Sequence, residues 1–155
     1  MDNTNVIRVG FITPALKIAD TNGDIDDPIN RTGKVFTLLS FINNDDKSGE
    51  FIKAMDSGIP KTEGGFEVIH SAIAPVKVKL GRAFKEKAGF KTRLFCDNDL
   101  RFGKAYSIVD SGQAKPSYHP TVFVIGEDGT VRYRQKIDLT AADGEQIRQV
   151  ISQLI

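Results

Sequence analysis

A chain of 155 residues with one cysteine, Cys96, and two histidines, His70 and His119, carries few groups able to attack a bond or move a proton near neutral pH. One thiol excludes an internal disulfide, a cysteine-rich zinc site and a two-cysteine redox cycle within the chain. Carboxylates are more numerous, and several gather with a serine in Asn43-Asn44-Asp45-Asp46-Lys47-Ser48-Gly49-Glu50. Asp45, Asp46 and Ser48 suit the first turn of a helix, where side-chain oxygens accept from unpaired N–H groups. Asp45, Asp46 and Glu50 taken together would instead suit a cation. Asp20, Asn22 and Asp24 match the first, third and fifth positions of a calcium loop, but Ile25 stands where glycine is required and Arg31 where a bidentate glutamate is required. That stretch reads as a polar turn, and no metal or other cofactor is expected. His70 lies within an apolar run and reads as a hydrogen-bonded core residue.

The elements that must position these residues follow from apolar spacing. Val35 to Ile42 is an almost unbroken apolar run, the pattern of a strand covered on both faces in the middle of an α/β sheet. The cap candidates after it lead into a helix through Phe51, Ile52 and Met55 that should stop before Gly58 and Pro60. Phe66 to Ala74 is a second central strand. Val76, Leu80, Phe84 and Ala88 recur every four residues among Lys77, Lys79, Arg82, Lys85 and Lys87, an amphipathic helix ending at Gly89. Arg93 to Cys96 is a short third strand, followed by a helix through Leu100, Phe102, Ala105 and Tyr106 capped by Asn98 or Asp99. Pro120 to Ile125 and Val131 to Gln135 form a hairpin about Glu127-Asp128-Gly129. A last helix carries Ile147, Val150, Ile151 and Leu154 on one face, capped by Thr140 or Asp143. This order requires parallel strands joined by crossovers and closed by an antiparallel hairpin.

These landmarks, in register, resemble the thioredoxin superfamily, and within it the peroxiredoxin-like redoxins of the alkyl hydroperoxide reductase and thiol-specific antioxidant group. Val9-Gly10 with Pro14, Leu16, Ile18, Asp20 and Gly23 is similar to the group's opening. Gly33-Lys34 and the strand ending in Phe41 resemble the strand that leads to its active site. Leu94-Phe95-Cys96-Asp97 resembles a segment that usually ends in Ser-Asp, and Pro120 to Gly129 resembles the proline-led strand and hairpin. The resemblance implies an α/β, thioredoxin-like fold: a central mixed sheet with three parallel strands and an antiparallel hairpin, and helices on both faces. The resemblance runs from Val9 to the final helix, and residues 1–155 are expected to form a single domain.

The resemblance also implies where chemistry would sit, at the start of the helix after the first central strand. There the reductase cysteines would fall on Asp46 and Gly49, and the peroxidatic cysteine on about Glu50. Neither is present, and a carboxylate does not attack a peroxide oxygen or a disulfide sulfur as a thiolate does. The peroxidase arginine expected close to Pro120 is missing as well; His119 or Pro120 stands near its place. The matching proline of thioredoxin-like proteins is cis and presents the preceding backbone to a bound peptide. On that basis Asp46, Ser48, His119 and Pro120 could line a ligand or peptide groove that outlives the redox chemistry; equally, His119 is merely exposed and Pro120 keeps a turn. Cys96 would end an edge strand, well to the side, with Asp97 raising its pKa and Arg93 and nearby lysines offsetting this. It reads as an inert, half-buried thiol, or else as the nucleophile of an atypical one-cysteine peroxidase or redox sensor recharged by an external thiol.

Charge narrows the classes further. Basic residues number 21 and acidic ones 20, with residues 1–65 holding seven and ten and the remainder fourteen and ten. That balance leaves no electrostatic footprint for nucleic acid, and the Lys77 to Lys91 stretch, without clustered aromatics, reads as a solvated helix face. No apolar run approaches the ~18 residues of a membrane span, and the first residues lack the pattern of a secretory signal, which favours the cytoplasm. The expectation is a redoxin-like domain without thiol turnover that serves as a binding or interaction module.

Overall fold

The computed structural model describes residues 8–110, 112 and 117–155. Short elements come first: β1 (Ile18–Ala19) and β2 (Ile25–Asp26) form a hairpin about the Asp20 turn. The Asp20 carboxylate holds that turn by accepting from the Asn22 and Asp24 N–H groups at 2.8 and 3.0 Å. The main sheet is built from β3 (Val35–Phe41), β4 (Thr62–Glu63), β5 (Phe66–Ala74), β6 (Arg93–Cys96), β9 (Thr121–Ile125) and β10 (Val131–Lys136). Four helices accompany it: α1 (Asp46–Gly58), α2 (Val78–Ala88), α3 (Arg101–Ala105) and α4 (Ala141–Leu154). Between α3 and β9 lies a small hairpin, β7 (Val109–Asp110) with β8 (Ser117–Tyr118).

Every residue of β3 is buried, as its unbroken apolar run requires. It pairs in parallel with β5, from Val35 opposite Glu67 to Phe41 opposite Ile73, and β5 pairs in parallel with β6. On the other side β9 runs antiparallel to β3, and β10 antiparallel to β9. Three parallel strands and an antiparallel hairpin therefore form the body of the observed sheet, the two-residue β4 adds antiparallel to the start of β5, and Cys96 does close an edge strand. That edge is covered in part, because Thr21 N–H donates to Leu94 C=O and Asp20 bridges Phe95.

The period of two along the strands sorts the core into two layers. Leu38, Ile42, Val68, Ala72, Leu94, Val122 and Val124 meet the apolar sides of α1, α2 and α4. Leu39, Phe41, Ile73, Phe95 and Phe123 pack instead with Phe102 of α3, with Tyr106 just after it, and with Ile18 and Ile29. The helices do lie on both faces, three against one.

Helix ends follow the local chemistry with one correction. Asp45 caps α1, Gly89 ends α2 in the left-handed region at φ 77°, and Thr140 with Asp143 makes a capping box on α4. Neither Asn98 nor Asp99 is the principal cap of α3. Asp97, fully buried, accepts from Phe102 and Gly103 N–H at 3.0 and 2.8 Å, while Asp99 takes only Arg101 N–H. The short pairs β1–β2, β4 and β7–β8 were not foreseen, since two-residue strands leave no periodicity to read.

Helix α1 approaches α2 through Gly49. A Cβ at that position would lie 2.7 Å from Ala88 Cβ and 3.3 Å from the Phe84 ring. Gly49→Ala should therefore lower stability by about 1–3 kcal/mol through overpacking, read as a reduced urea midpoint at unchanged slope.

Candidate functional site

The start of α1 is arranged for capping. Asp45 accepts from Ser48 N–H at 2.8 Å, and the Ser48 hydroxyl, fully buried, accepts from Asn43 N–H at 3.3 Å. Ser48 therefore faces the helix-start turn and no groove. Asp46 and Glu50 are exposed, and the Asp46 carboxylate lies 3.7 Å from Lys87. The three carboxylates considered for a cation do not converge: Asp45 is committed to the backbone, Asp46 lies toward Lys87, and Glu50 is exposed. Gly49 faces α2, so the position matching the second reductase cysteine is closed by packing.

The His119-Pro120 segment corrects a second expectation. No peptide bond among the described residues is cis, so Pro120 does not take the cis form implied by the resemblance. Nor is its backbone open to a peptide. Tyr118 N–H donates to the Asn43 side-chain oxygen at 2.9 Å, and the Asn43 amide nitrogen donates back to Tyr118 C=O at 2.9 Å. His119 N–H donates to Ile108 C=O, and His119 C=O accepts from the Thr121 hydroxyl. Every group that a strand-like ligand would use at Tyr118 and His119 is satisfied from within. The His119 side chain itself is exposed.

Beneath this pair, the buried Tyr118 hydroxyl donates to the Asp97 carboxylate. Burial and the Asp97 charge hold that phenol far above its usual pKa range. The Tyr118 ring reaches Asp97 over Gly103, where a Cβ would come within 2.5 Å of it.

Cys96 is buried in the layer facing α2, its Sγ so close to Gly81 that a Cβ there would lie 2.8 Å away. Burial, reinforced by Asp20, pushes the thiol up to about 11, and Arg82 counteracts this only in part. The cause is thus not the adjacent Asp97, whose carboxylate caps α3, and Arg93 is taken up by ion pairs to Asp20 and Asp26 at 2.9 Å each.

What does open at the carboxyl ends of β3, β5 and β6 is a cavity of about 520 Å³ lined by Asn43, Asn44, Pro75, Val76, Lys77, Leu80, Asn98, Leu100 and Ser117. Its composition contrasts with the α1 start. No carboxylate lines it among the described residues, and α2 begins at its wall with Lys77 in the capping position, no side-chain cap and no acidic residue in the first turn. Leu80 is 50% exposed, and Leu100 is held at φ 62°, a conformation costly for a leucine and commonest at ligand sites. Asp46, Ser48, His119 and Pro120 are not among its lining residues. In the sequence Lys77, Asn44, Asn98 and Leu100 read only as a solvated helix face, helix-start polar groups and a helix core residue, with no site among them. The signal that could have found them is positional: they follow directly on the ends of parallel strands, where open α/β sheets bind ligands.

No family model matches the chain. The PrxQ mutant of Xylella fastidiosa superposes with a TM-score of 0.82 at 14% identity, covering 95% of this chain and 96% of that one. A peroxiredoxin-like protein from Aquifex aeolicus gives 0.82 at 15% identity, with 97% and 89% covered. It is the thioredoxin-like fold of the peroxiredoxins. Within that peroxiredoxin fold, the peroxidoxin BcpB of Mycobacterium tuberculosis also superposes, with a TM-score of 0.75 at 13% identity over 96% and 98% of the two chains. By sequence, the Corynebacterium efficiens protein named dihydroxy-acid dehydratase 2 is 29% identical over 143 residues. The match takes in 89% of this chain, which spans about a quarter of that relative's length (24%).

The Asn43 side chain takes up both the N–H and the C=O of Tyr118. Asn43→Ala should cost about 1–3 kcal/mol in urea unfolding, because it strands a buried N–H and C=O, and should speed hydrogen exchange of the Tyr118 amide.

Proposed function

We propose that this peroxiredoxin-type chain works without thiol redox chemistry, as a binding module whose ligand enters the cavity at the carboxyl ends of β3, β5 and β6. The observation that carries this reading is the makeup of that cavity. It offers the open N–H end of α2, the Lys77 ammonium and the Asn44 and Asn98 amides beside apolar Val76, Leu80 and Leu100, with neither thiol nor carboxylate among the described lining residues. Such a surface favours a small molecule or protein segment that presents an anionic group next to an apolar body. A protein partner would dock by side chains into this cavity, since the Tyr118 and His119 backbone is already paired.

The rival reading makes Cys96 a one-cysteine peroxidase or sensor. Its burial and raised thiol pKa weigh against it, because oxidation follows thiolate character and access. Dehydratase chemistry, named for a relative about four times as long, is not carried over, since the cavity holds no acid–base pair. One domain over residues 1–155 and a cytoplasmic setting, where lone thiols stay reduced, complete the proposal. No helix among the described residues is long and apolar enough to cross a membrane.

Two measurements test the proposal. With its thiol near 11, native Cys96 should react with an aromatic disulfide at pH 7.4 at least roughly a hundredfold slower than in denaturant, and peroxide consumption should match that of Cys96→Ser. Peroxide turnover abolished by Cys96→Ser overturns the non-redox reading. Calorimetric titration with small carboxylates and phosphate monoesters should show saturable binding lost in Lys77→Glu; no saturation across the panel removes the anionic ligand class.

A further inference from the structure

At the opposite half of the sheet a chain of side-chain hydrogen bonds runs through His70. The Ser40 hydroxyl lies 2.8 Å from His70 Nε2, Thr92 Oγ lies 3.2 Å from Nδ1, and the Thr92 hydroxyl donates to the Asp56 carboxylate. Asp56 also accepts from the Lys91 and Thr92 N–H groups. A carboxylate only accepts, which sets the direction of the whole chain. Thr92 spends its proton on Asp56, so Nδ1–H donates to Thr92 Oγ, and Nε2 keeps the lone pair that takes the Ser40 proton. One neutral imidazole thereby ties β3, β5, the start of β6 and the last turn of α1.

A cavity of about 530 Å³ borders this chain, lined in part by Met55, Asp56, Ile59, Val68, His70 and Thr92. Its charged groups are Lys61 and Glu67 on the β4–β5 side, Lys91 and Arg93 at the start of β6, and Asp56 on α1. Ser40 on β3 is fully buried and does not titrate. Water can thus reach the edge of His70.

We propose that His70 is an acid-sensitive latch whose protonation at Nε2 frees the carboxyl end of α1 from the start of β6 and opens the adjoining cavity. Once Nε2 becomes a donor, the buried Ser40 hydroxyl loses its acceptor, and a positive charge appears on a ring whose burial disfavours it. Asp56, already accepting from Thr92 and two backbone N–H groups, is the only opposing charge tied into the chain. Opening exposes Met55, Ile59 and Val68. In the closed form burial pushes the imidazole down to about 4, with Asp56 acting weakly against this. The sign follows: above the ordinary histidine value near 6.5 the latch is fully effective, and closure weakens as pH falls from there toward 4.

The test is hydrogen exchange of the Lys91 and Thr92 amides, corrected for intrinsic rates, at pH 7.5 and pH 5. Their protection should fall by about 30-fold at pH 5, as one proton's linkage over that interval gives, while the β9 amides of Val122 to Val124 keep theirs. In His70→Gln the fall should vanish. Should that variant not fold, Ser40→Ala substitutes, since removing the donor to neutral Nε2 should move the opening midpoint up by about half a pH unit to one unit. Unchanged Lys91 and Thr92 protection, an equal fall in β9, a fall that persists in His70→Gln, or an unmoved midpoint in Ser40→Ala would each overturn the latch.

Discussion

The matched pair of hydrogen bonds between the Asn43 side chain and the Tyr118 backbone is the constraint around which the carboxyl end of the sheet is organised. An asparagine amide has the same donor and acceptor spacing as a peptide group, so it can stand in for a paired strand. Placed directly after β3 and Ile42, it joins the exit of the central strand to the β7–β8 hairpin and fixes where α1 starts. From the same hairpin Tyr118 reaches inward to Asp97, and Asp97 in turn starts α3. Elements separated by more than fifty residues are thus registered by two side chains and one backbone. The same bonds that provide this rigidity occupy the groups through which a thioredoxin-like protein could grip an extended peptide.

Much of this fold was legible because the long elements announce themselves by period. β3, β5, β6 and β9 begin and end within a residue of where their apolar runs do, and the Asp-Gly turn and the Gly89 helix end follow from backbone chemistry alone. Less legible was anything decided by which way a side chain turns. Cys96 and Asp97 are neighbours in sequence, and a charge beside a thiol suggests direct coupling. At the strand end they face opposite layers, so Asp97 meets Tyr118 and α3 while Cys96 meets Gly81 and feels Asp20 from a distant turn. The proline conformation failed for a related reason: a resemblance carries topology better than it carries the state of a single peptide bond, which depends on what the flanking residues find to bond with.

Gly49 shows how packing and chemistry exclude each other at one position. Matching a reductase cysteine, it sits on the side of α1 that α2 approaches, so even a methyl group would collide with Ala88. An ordinary sulfur-bearing side chain there would force the helices apart and loosen the layer that includes Phe51, Ile52 and Phe84. The missing thiol is therefore built into the helix contact as well as into the sequence.

The electrical character of the two helix starts completes the argument. At α1 the positive end of the helix dipole is answered by Asp45 and Asp46, and its free N–H groups are partly spent on Asp45. At α2 neither a side-chain cap nor an acidic residue of the first turn answers it: Lys77 and Lys79 place further positive charge at the same end, an arrangement that costs helix stability unless an anion supplies the compensation. Relative to the place where the resemblance locates chemistry, the unsatisfied potential has moved one crossover along the sheet, from the helix after β3 to the helix after β5. That displacement leaves an α/β scaffold with its strand-end crevice intact, its reactive sulfur absent from the mouth, and its open donors on a different helix.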